Sequence, residues 1–385
     1  AMEFVIQKSD LVRELQTITG VVEKRATIPI LANLLLKADK DGLQVGASDM
    51  EVTIRGTAKA TVIQEGGITL PAAKLHEIAR SLPESEVRFK LLDRNIMSIS
   101  CERTRYKISG QSLSEFPSFP KIDEDTGIRL PGKKLHRMIE RVAFAITRED
   151  PRYSLNGALF LLENGKLTLV ATDGHRLAFV AEELDVAVGD QGPQNVIVPR
   201  KALAEVSKLT ADLSDEDTVL FGKTDNQIFF IVKDHKLTSS PLEGNFPRYE
   251  NVMPESCDTS VMIPTEELAQ AVRRVSLLAN DRYGRVIKVS LSDGKLEFSS
   301  TTEMGEAHET LNIEYSGPEI NIGFNARYLL DYLNVVGSPV VKLELNPTRK
   351  SDDDRKLEAG DKPGQFRPEP DGGVDYRYIV MPMHL

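Results

Sequence analysis

The sequence predicts an α+β fold that is repeated three times, with more strands than helices, because one hairpin pattern recurs at about a third of the chain length. Each copy is an alternating strand, an Asp-Gly or Asn-Gly turn, and a second alternating strand. The turn glycines Gly42, Gly165 and Gly294 are 123 and 129 residues apart in a chain of 385, and each is expected to have a positive φ. The copies cover Leu31–Gly56, Leu155–Val180 and Tyr283–Thr310.

Two strand-to-helix segments flank each hairpin and predict the other elements of the repeat. Before the second hairpin, Leu135, Met138, Ile139 and Val142 recur at the spacing of one helix face, so they are expected to form a buried stripe. Each third therefore runs strand, helix, hairpin, strand, helix and further strands. The segments before the hairpins are Phe4–Ile18, Ile128–Val142 and Val261–Val275, and those after them are Ile68–Leu82, Val196–Leu209 and Ile320–Leu333.

Two polar, proline-containing stretches, Glu115–Gly127 and Asn245–Asp258, predict the boundaries between the repeats. Arg349–Gly373 is dense in charge, Pro and Gly, so it is predicted to be a mobile loop inserted in the last domain. The predicted domains are residues 1–121, 128–248 and 259–385.

The composition is that of a globular protein, with 41% hydrophobic and 28% charged residues, and it excludes a disordered or collagen-like chain. The formal net charge of −10 argues against adhesion to nucleic acid over the whole surface, so any such contact needs a local basic face. No signal-peptide pattern and no apolar run of membrane-spanning length is found. A cytoplasmic protein with two free thiols, Cys101 and Cys257, and no membrane partner is expected.

Basic side chains recur on the outward faces of the predicted helices. On the helix with the apolar stripe, Arg137 and Arg141 lie opposite that stripe. Such charges on one helix usually only solvate its surface. Six helices at repeating positions instead predict one positive surface, which would attract a phosphate backbone without reading base sequence. The helices after the hairpins add Lys74, Arg80, Arg200 and Lys201.

The sequence offers no convincing catalytic site. Asp173, His175 and Ser154 could suggest a triad, but Asp173 and His175 are two residues apart in a strand-like segment, and no G-x-S-x-G motif is present. The six histidines never recur at i, i+4, and no phosphate-binding glycine loop occurs. No metal and no cofactor is therefore predicted.

Three further segments carry a family resemblance: TDGHRL at Thr172–Leu177, VIVPRK at Val196–Lys201 and YIVMPMHL at Tyr378–Leu385. With the threefold repeat, they closely resemble the bacterial DNA polymerase III beta subunit family, the sliding clamps, over the whole chain apart from 349–373. The resemblance implies a non-enzymatic protein with the DNA clamp fold, in which two chains join head to tail as a homodimer. Helices would line the resulting ring and antiparallel sheets would lie outside.

The resemblance also implies partners. The ring would encircle double-stranded DNA and tether the replicative DNA polymerase for processive synthesis. A peptide pocket between the second and third domains would dock short linear motifs of the polymerase, the clamp loader, repair polymerases and mismatch-repair proteins. Methionines suit such a pocket because they repack around different ligands.

The resemblance assigns three sets of residues. Asn251 and His384 stand where relatives carry Arg, so a less positive pocket with altered motif preference is expected. The DNA-binding set is Arg25, Arg80, Arg148, Tyr153, Arg200 and Lys201, beside the helical residues above. The dimer interface would join Arg103, Arg105, Tyr106 and Ile108 to Leu277, Leu278, Glu303 and Glu306 of another chain. The peptide-binding set is Leu155, Thr172, Gly174, His175, Arg176, Leu177, Pro247, Asn251, Val252, Tyr328, Val380, Met381, Pro382, Met383 and Leu385.

Strand alternation in the sequence R-T-R-Y-K-I predicts that Arg103 and Arg105 lie on one side of a strand, where they would face the partner's carboxylates. Two alternatives remain open. One is a hydrolytic enzyme that uses Asp173 and His175. The other is a monomeric repeat scaffold for proteins, which would form no dimer and would not associate with DNA.

Overall fold

The computed structural model describes residues 1–148, 151, 153–184, 194–224, 226–279, 281, 285–347, 356–358 and 362–385. These residues form two compact units. The first unit contains Ala1–His136 and Val198–Pro241, and the second contains most of the remainder, including Leu242–Leu385.

Helices and strands follow one another along the chain in the order that the repeat predicts. The helices are α1 (Lys8–Ile18), α2 (Ala72–Ser81), α3 (Gly132–Ala143), α4 (Arg200–Thr210), α5 (Thr265–Ser276) and α6 (Ala326–Leu333). The first strands are β1 (Glu3–Gln7), β2 (Asn33–Asp39), β3 (Gly42–Ser48), β4 (Val52–Ala58), β5 (Thr61–Gln64), β6 (Gly66–Pro71), β7 (Glu86–Leu91), β8 (Ile96–Cys101) and β9 (Thr104–Ser109).

The middle strands are β10 (Ile128–Pro131), β11 (Gly157–Glu163), β12 (Lys166–Thr172), β13 (Arg176–Glu183), β14 (Gln194–Pro199), β15 (Thr218–Thr224), β16 (Gln227–Val232) and β17 (His235–Ser239). The last strands are β18 (Thr259–Pro264), β19 (Val286–Ser292), β20 (Lys295–Thr302), β21 (Gly305–Asn312), β22 (Glu319–Asn325), β23 (Val340–Leu345), β24 (Lys356–Glu358), β25 (Gly364–Glu369) and β26 (Asp375–Val380).

The first unit contains two sheets. A five-stranded sheet has the order β5-β1-β7-β8-β9, so β9 is an edge strand. An eight-stranded sheet has the order β10-β15-β16-β17-β4-β3-β2-β6. Strands of the first and second repeats join where β17 pairs antiparallel with β4, and we call this pairing the first junction.

The second unit repeats this arrangement. Its eight-stranded sheet has the order β14-β11-β12-β13-β26-β25-β23-β18, and its five-stranded sheet has the order β21-β20-β19-β22-β24. Strands of the second and third repeats join where β13 pairs antiparallel with β26, and we call this pairing the second junction. The strand β21 is an edge strand of the smaller sheet.

The local expectations for turns and helices are confirmed. Gly42, Gly165 and Gly294 have φ of 120°, 74° and 71°, a region that side chains with a Cβ rarely adopt. The α3 stripe of Leu135, Met138, Ile139 and Val142 is completely buried. Burial of this face, rather than helix propensity alone, stabilises a helix of only 12 residues.

The expectation of a mobile loop over Arg349–Gly373 is wrong for its C-terminal part. Gly364–Glu369 is strand β25, which lies between β23 and β26 in the eight-stranded sheet and buries Phe366. The charged and proline-rich composition concealed this strand, because the charged residues Arg367 and Glu369 alternate along it with the buried residues Phe366 and Pro368. Residues 348–355 and 359–361 lie outside the described part of the chain.

Candidate functional site

The second unit has an apolar pocket of about 550 Å³, including the space that opens to solvent. Its floor is the second junction, where Leu177 of β13 and Ile379 of β26 are directly paired and almost fully buried. Both belong to a buried cluster that also includes Val170 and Phe179. The lining residues are Leu155, Thr172, Gly174, Arg176, Leu177, Pro247, Arg248, Tyr249, Val252, Ile379 and Met381.

One side of the pocket is a tight turn over Thr172–Arg176. Asp173 Oδ1 accepts hydrogen bonds from the backbone N–H groups of His175 (2.9 Å) and Arg176 (3.0 Å). Thr172 Oγ1 donates to the Arg176 carbonyl at 2.6 Å. Gly174 has φ of 87°, so the turn needs a residue that tolerates the left-handed region. The sequence T-D-G therefore fixes a loop whose glycine backbone lies against the pocket.

Arg176 is the best-anchored charge at the pocket, because only 9% of its side chain is exposed and all its guanidinium nitrogens are hydrogen-bonded. The guanidinium also lies 4.4 Å from the centroid of the Tyr328 ring. Its partners are Asp331 Oδ2 (2.6 Å from Nη1), Tyr378 OH (3.3 Å from Nη1), Asp173 Oδ2 (3.2 Å from Nε) and the Phe144 carbonyl (3.0 Å from Nη2). Arg176 thus ties the turn to α6 and to β26.

Burial raises the pKa of the Tyr378 phenol above its usual range, so this side chain stays neutral at physiological pH. Its hydroxyl donates to the Tyr328 carbonyl at 2.7 Å while it accepts from Arg176. The Tyr378 ring stacks on Tyr332 at 4.9 Å between centroids. A rigid aromatic layer therefore lies under the Arg176 network.

The C-terminal segment is held by two backbone hydrogen bonds. The Met381 N–H donates to the His175 carbonyl at 2.9 Å, and the Met383 N–H donates to the Gly323 carbonyl at 2.8 Å. The second contact requires glycine, because a Cβ at Gly323 would lie 2.5 Å from the Met383 carbonyl oxygen. This segment places Met381 in the pocket wall and leaves Leu385 exposed.

The structure brings eight of the residues assigned by resemblance into the pocket lining: Leu155, Thr172, Gly174, Arg176, Leu177, Pro247, Val252 and Met381. The other seven, His175, Asn251, Tyr328, Val380, Pro382, Met383 and Leu385, are not among the lining residues. Val380 is completely buried, because it follows the lining residue Ile379 on β26 and its side chain points to the other face of the sheet.

Three lining residues were missed by the sequence analysis: Arg248, Tyr249 and Ile379. Period-two alternation in the terminal segment YIVMPMHL could have predicted Ile379, because Ile379 and Met381 are two positions apart in an extended chain. Arg248 is exposed and supplies a cation to the pocket. The positive charge of the pocket therefore depends on Arg248 as well as on the replacement of Arg by Asn251 that the resemblance implies.

Asp173 and His175 do not form a catalytic pair. Asp173 uses Oδ1 for two backbone N–H groups and Oδ2 for Arg176, while the His175 ring stacks against Tyr328 at 6.5 Å between centroids. Among the described residues, no group of three or more His, Cys, Asp or Glu side chains could hold a metal ion. None of the described helices is both long enough and apolar enough to cross a membrane.

Both cysteines are free thiols, and the pKa of each thiol is raised above its ordinary value. The rise is larger for Cys257 than for Cys101. Burial, followed by the nearby Glu344 carboxylate, raises the Cys257 pKa from 9.0 to about 11. At pH 8 its thiolate fraction should be about 100-fold below that of an ordinary thiol, since each pKa unit changes it tenfold. We expect correspondingly slow alkylation by iodoacetamide that accelerates up to pH 11, measured by mass spectrometry on the Cys101→Ser variant. Fast modification at pH 8 would contradict this.

Most basic residues assigned to DNA contact are exposed. Lys74 pairs with Glu77 at 3.0 Å, and the Arg141 guanidinium lies 5.4 Å from the centroid of the Tyr376 ring. Arg25, Arg80, Arg137, Arg148 and Arg200 are exposed at the surface. The side chain of Tyr153 lies outside the described part of the chain.

Lys201 is placed differently from the other basic residues. Its ammonium group donates to Asp49 Oδ2 (2.5 Å), Glu23 Oε1 (2.6 Å) and the Val21 carbonyl (2.8 Å). Three acceptors use all three donors of the ammonium. Burial lowers the Lys201 pKa, but the bonds to Asp49 and Glu23 outweigh it and the net shift is upward. Lys201 thus ties α4 to the first repeat, and its ammonium has no donor left for a phosphate.

The residues assigned to the dimer interface lie on or beside two edge strands. On β9, Arg105 is exposed while Tyr106 and Ile108 are half-buried, and on β21, Glu306 is exposed. Leu277 and Glu303 are exposed, and Leu278 is half-buried near Gly305. Arg103 lies in the two-residue turn before β9, not in the strand, so the expectation that it shares a strand face with Arg105 is wrong. The turn follows because Cys101 pairs directly with Thr104.

Three consecutive family models match the chain. They are the N-terminal domain of the DNA polymerase III beta subunit at residues 2–120, its central domain at 129–248 and its C-terminal domain at 250–352. The chain is 34% identical over 386 residues to the beta sliding clamp of Pseudomonas aeruginosa and 32% identical over 389 residues to that of Escherichia coli, with all of each chain covered.

Solved structures agree with these matches. The sliding clamp of Bartonella birtlesii bound to griselimycin has a TM-score of 0.90 at 31% identity, with both chains covered completely. The clamp of Bacillus subtilis has a TM-score of 0.89 at 28% identity, covering 100% of this chain and 99% of that one.

The repeated α+β domains, which share sheets at their junctions, and the apolar docking pocket define a sliding clamp. The chain belongs to the DNA polymerase III beta subunit family. It is a processivity factor for DNA polymerase and not an enzyme. The hydrolytic alternative based on Asp173 and His175 has no support.

Proposed function

We propose that two copies of this chain close around duplex DNA and that the pocket at the second junction docks short apolar motifs of the replicative polymerase, the clamp loader and repair proteins. The observation that carries the docking proposal is the pocket itself. Its floor of Leu177 and Ile379 offers apolar surface, while Arg248 at its margin suits a peptide carboxylate.

One relative supports a tethering role for this fold. The C. crescentus beta sliding clamp, which is 31% identical with a TM-score of 0.87, has polyethylene glycol bound to a region suggested to tether a beta-motif. A pocket with a preformed wall and one flexible methionine, Met381, favours weak binding to several partners.

Self-association is supported by the two edge strands. The strand β9 exposes Arg105 and Lys107, whereas β21 exposes Glu306 and Glu303 lies just before it. Unpaired edges invite pairing with another chain, and opposite charges select the correct edge. Pairing β9 of one chain with β21 of another would form a head-to-tail dimer with two identical seams. The monomeric scaffold is the competing proposal.

Charge reversal at these edges tests the dimer. We expect Arg105→Glu or Glu306→Arg alone to weaken self-association about tenfold, since each places like charges at the seam. The double variant should return to within about threefold of the wild type. Sedimentation equilibrium at low ionic strength measures the effect. Lys59→Glu is the matched control for Arg105→Glu, because it makes the same charge change at an exposed site outside β9 and β21. Equal weakening by Lys59→Glu would argue against this seam.

Encirclement is tested by topology. The protein is loaded onto nicked circular DNA with a bacterial clamp loader and ATP, the complex is isolated at moderate salt, and the circle is then cut once. Release on cutting is expected, because a closed ring needs only weak phosphate contacts. Retention on linear DNA, or no retention on the circle, would contradict the proposal. A pre-cut linear DNA of the same length serves as the control.

A further inference from the structure

The first unit contains a polar pocket of about 440 Å³, including the space that opens to solvent. It lies on the sheet at the first junction, and its lining has no large apolar side chain. A pocket with such a lining suits a polar ligand, unlike the apolar pocket of the second unit. The lining residues are Gln44, Arg55, Gly56, Thr57, Asp234 and Lys236.

Three of these side chains share one face of two neighbouring strands. Arg55 of β4 is directly paired with Lys236 of β17, and Thr57 lies two positions further along β4 on the same side. Gly56, between Arg55 and Thr57, faces α1 instead, because a Cβ at this position would collide with the Glu14 carboxylate. The polar pocket is therefore on the face of the sheet opposite α1.

The direct pairing of Arg55 with Lys236 places two cations side by side. Directly paired residues of antiparallel strands have Cβ atoms about 4.5–5.5 Å apart, and like charges at such positions are unfavourable. Both side chains are half-buried, so water screens their repulsion only in part. An anion between them would offset this repulsion and accept charge-assisted hydrogen bonds from both. The pair therefore favours the binding of an anion.

The hydrogen-bond donors of Arg55 are available to such an anion. Its guanidinium lies 5.7 Å from the centroid of the Phe119 ring, and no described residue accepts a hydrogen bond from it. Contact with a ring face leaves the in-plane N–H groups free to donate. The ring fits beside Arg55 only because Gly46 has no Cβ, which would collide with it. Phe119 thus supports a guanidinium that can bind both oxygens of a carboxylate.

The contact between Lys236 and Glu124 shows that this face accepts a carboxylate. The Lys236 ammonium lies 2.9 Å from Glu124 Oε1, in a short turn over Glu124–Thr126. Hydrogen bonding to Lys236, followed by the charge of this lysine, lowers the pKa of the Glu124 carboxyl. Both side chains are substantially exposed, so the ion pair is weak and can exchange with another carboxylate.

The remaining lining residues limit the charge that a ligand should carry. The exposed Asp234 carboxylate would repel a group with two negative charges, such as a phosphate monoester. Gln44 is held by Asp39, whose Oδ2 accepts a hydrogen bond from Gln44 Nε2 at 2.7 Å, and Thr57 adds a hydroxyl. With two cations and one carboxylate in its lining, the polar pocket suits a single negative charge.

We propose that the polar pocket binds an aspartate or glutamate side chain in an extended acidic segment of a partner protein. The Arg55 guanidinium holds both oxygens of the incoming carboxylate, and the Lys236 ammonium holds one of them. Glu124, a glutamate of the chain itself, already makes the second of these contacts. The polar pocket lies in the first unit, so this site is additional to the proposed docking of apolar motifs in the second.

The test uses a tryptophan-labelled peptide, because the chain itself contains no tryptophan. Acetyl-Trp-Gly-Glu-Ser-Glu-Gly-amide is titrated with the full-length protein at low ionic strength, and its fluorescence anisotropy is followed. We expect saturable binding that Arg55→Met weakens about tenfold and Lys236→Met about threefold. The same peptide with glutamine in place of both glutamates should not bind. Arg13→Met, which removes an exposed arginine of α1, is the matched control and should leave the affinity unchanged.

A variant with increased affinity keeps the test decisive even if the other substitutions disturb the fold. Glu124→Gln removes the competing carboxylate but keeps the side-chain shape, so it should strengthen binding about threefold. Equal binding of the glutamate and glutamine peptides would overturn the proposal, as would unchanged affinity in a folded Glu124→Gln variant. Displacement of the peptide by equimolar acetate or inorganic phosphate would assign the pocket to small free anions and would overturn its assignment to an acidic segment.

Discussion

Replacing Arg176 by methionine should destabilise the second unit by about 3–5 kcal/mol, because it leaves the carboxylates of Asp173 and Asp331 without their buried cation. The methionine keeps most of the aliphatic volume over Tyr328. The loss of stability therefore measures the hydrogen bonds and ion pairs of Arg176 rather than the cost of a cavity. Differential scanning calorimetry measures the change, and hydrogen exchange should show faster exchange of the His175 and Arg176 amides that Asp173 holds.

Arg248→Met is the matched control for Arg176→Met. Both arginines line the pocket, but Arg248 is exposed. Its replacement should change stability by less than about 0.5 kcal/mol and reduce affinity only for peptides with an acidic group. Equal destabilisation by both substitutions would show that the buried network does not have the role assigned to it.

Replacing Lys201 by methionine should destabilise the first unit by about 2–4 kcal/mol, because Asp49 is nearly buried and loses its only cationic partner among the described residues. Since the folded-state pKa of Lys201 is raised, its stabilising contribution is complete below the ordinary lysine pKa and is lost only as the pH rises above it. Calorimetry at pH 7 therefore measures the whole effect.

The same variant separates a structural role from a DNA contact. Arg80→Met is the comparison, because Arg80 is an exposed cation on α2. Arg80→Met should leave stability nearly unchanged and reduce the salt dependence of DNA association by about one ion. Lys201→Met should have the opposite profile, with reduced stability and an unchanged salt dependence. A reduced salt dependence for Lys201→Met would return that residue to the DNA-binding set.

The repeat was predictable because its signals are local. Asp-Gly and Asn-Gly turns require a positive φ at Gly42, Gly165 and Gly294, and the α3 stripe repeats within 12 residues. The wrong expectation for Arg103 also has a local cause. The β8–β9 hairpin uses two residues, one of them Arg103, for its turn, and strand alternation applies only to the residues after that turn. Strand β25 was missed because its six residues include only one large apolar side chain, Phe366, and the sequence around it is charged.

The site was predictable only in part, because its decisive contacts join residues far apart in sequence. Lys201 meets Asp49 across 152 positions, and Arg176 meets Asp331 across 155. Periodicity shows that Lys201 lies at the start of a helix. It cannot show that three acceptors of the first repeat, on Val21, Glu23 and Asp49, use all three N–H donors of its ammonium group. For the pocket, resemblance supplied most of the lining, while Arg248 and Tyr249 depend on where the chain after the second repeat crosses the sheet.

The first junction imposes an order on synthesis at the ribosome. Residues Val52–Ala58 form β4, but β17, which pairs along its free edge, begins only at His235. A nascent chain must therefore extend by nearly 180 residues before that edge is satisfied, which at about 5–20 residues per second leaves it open for roughly 10–35 seconds. During that interval, the exposed edge can pair with neighbouring nascent chains. The free edge of β4 is covered only when β17 of the second repeat has been synthesised, and not when the first repeat is complete.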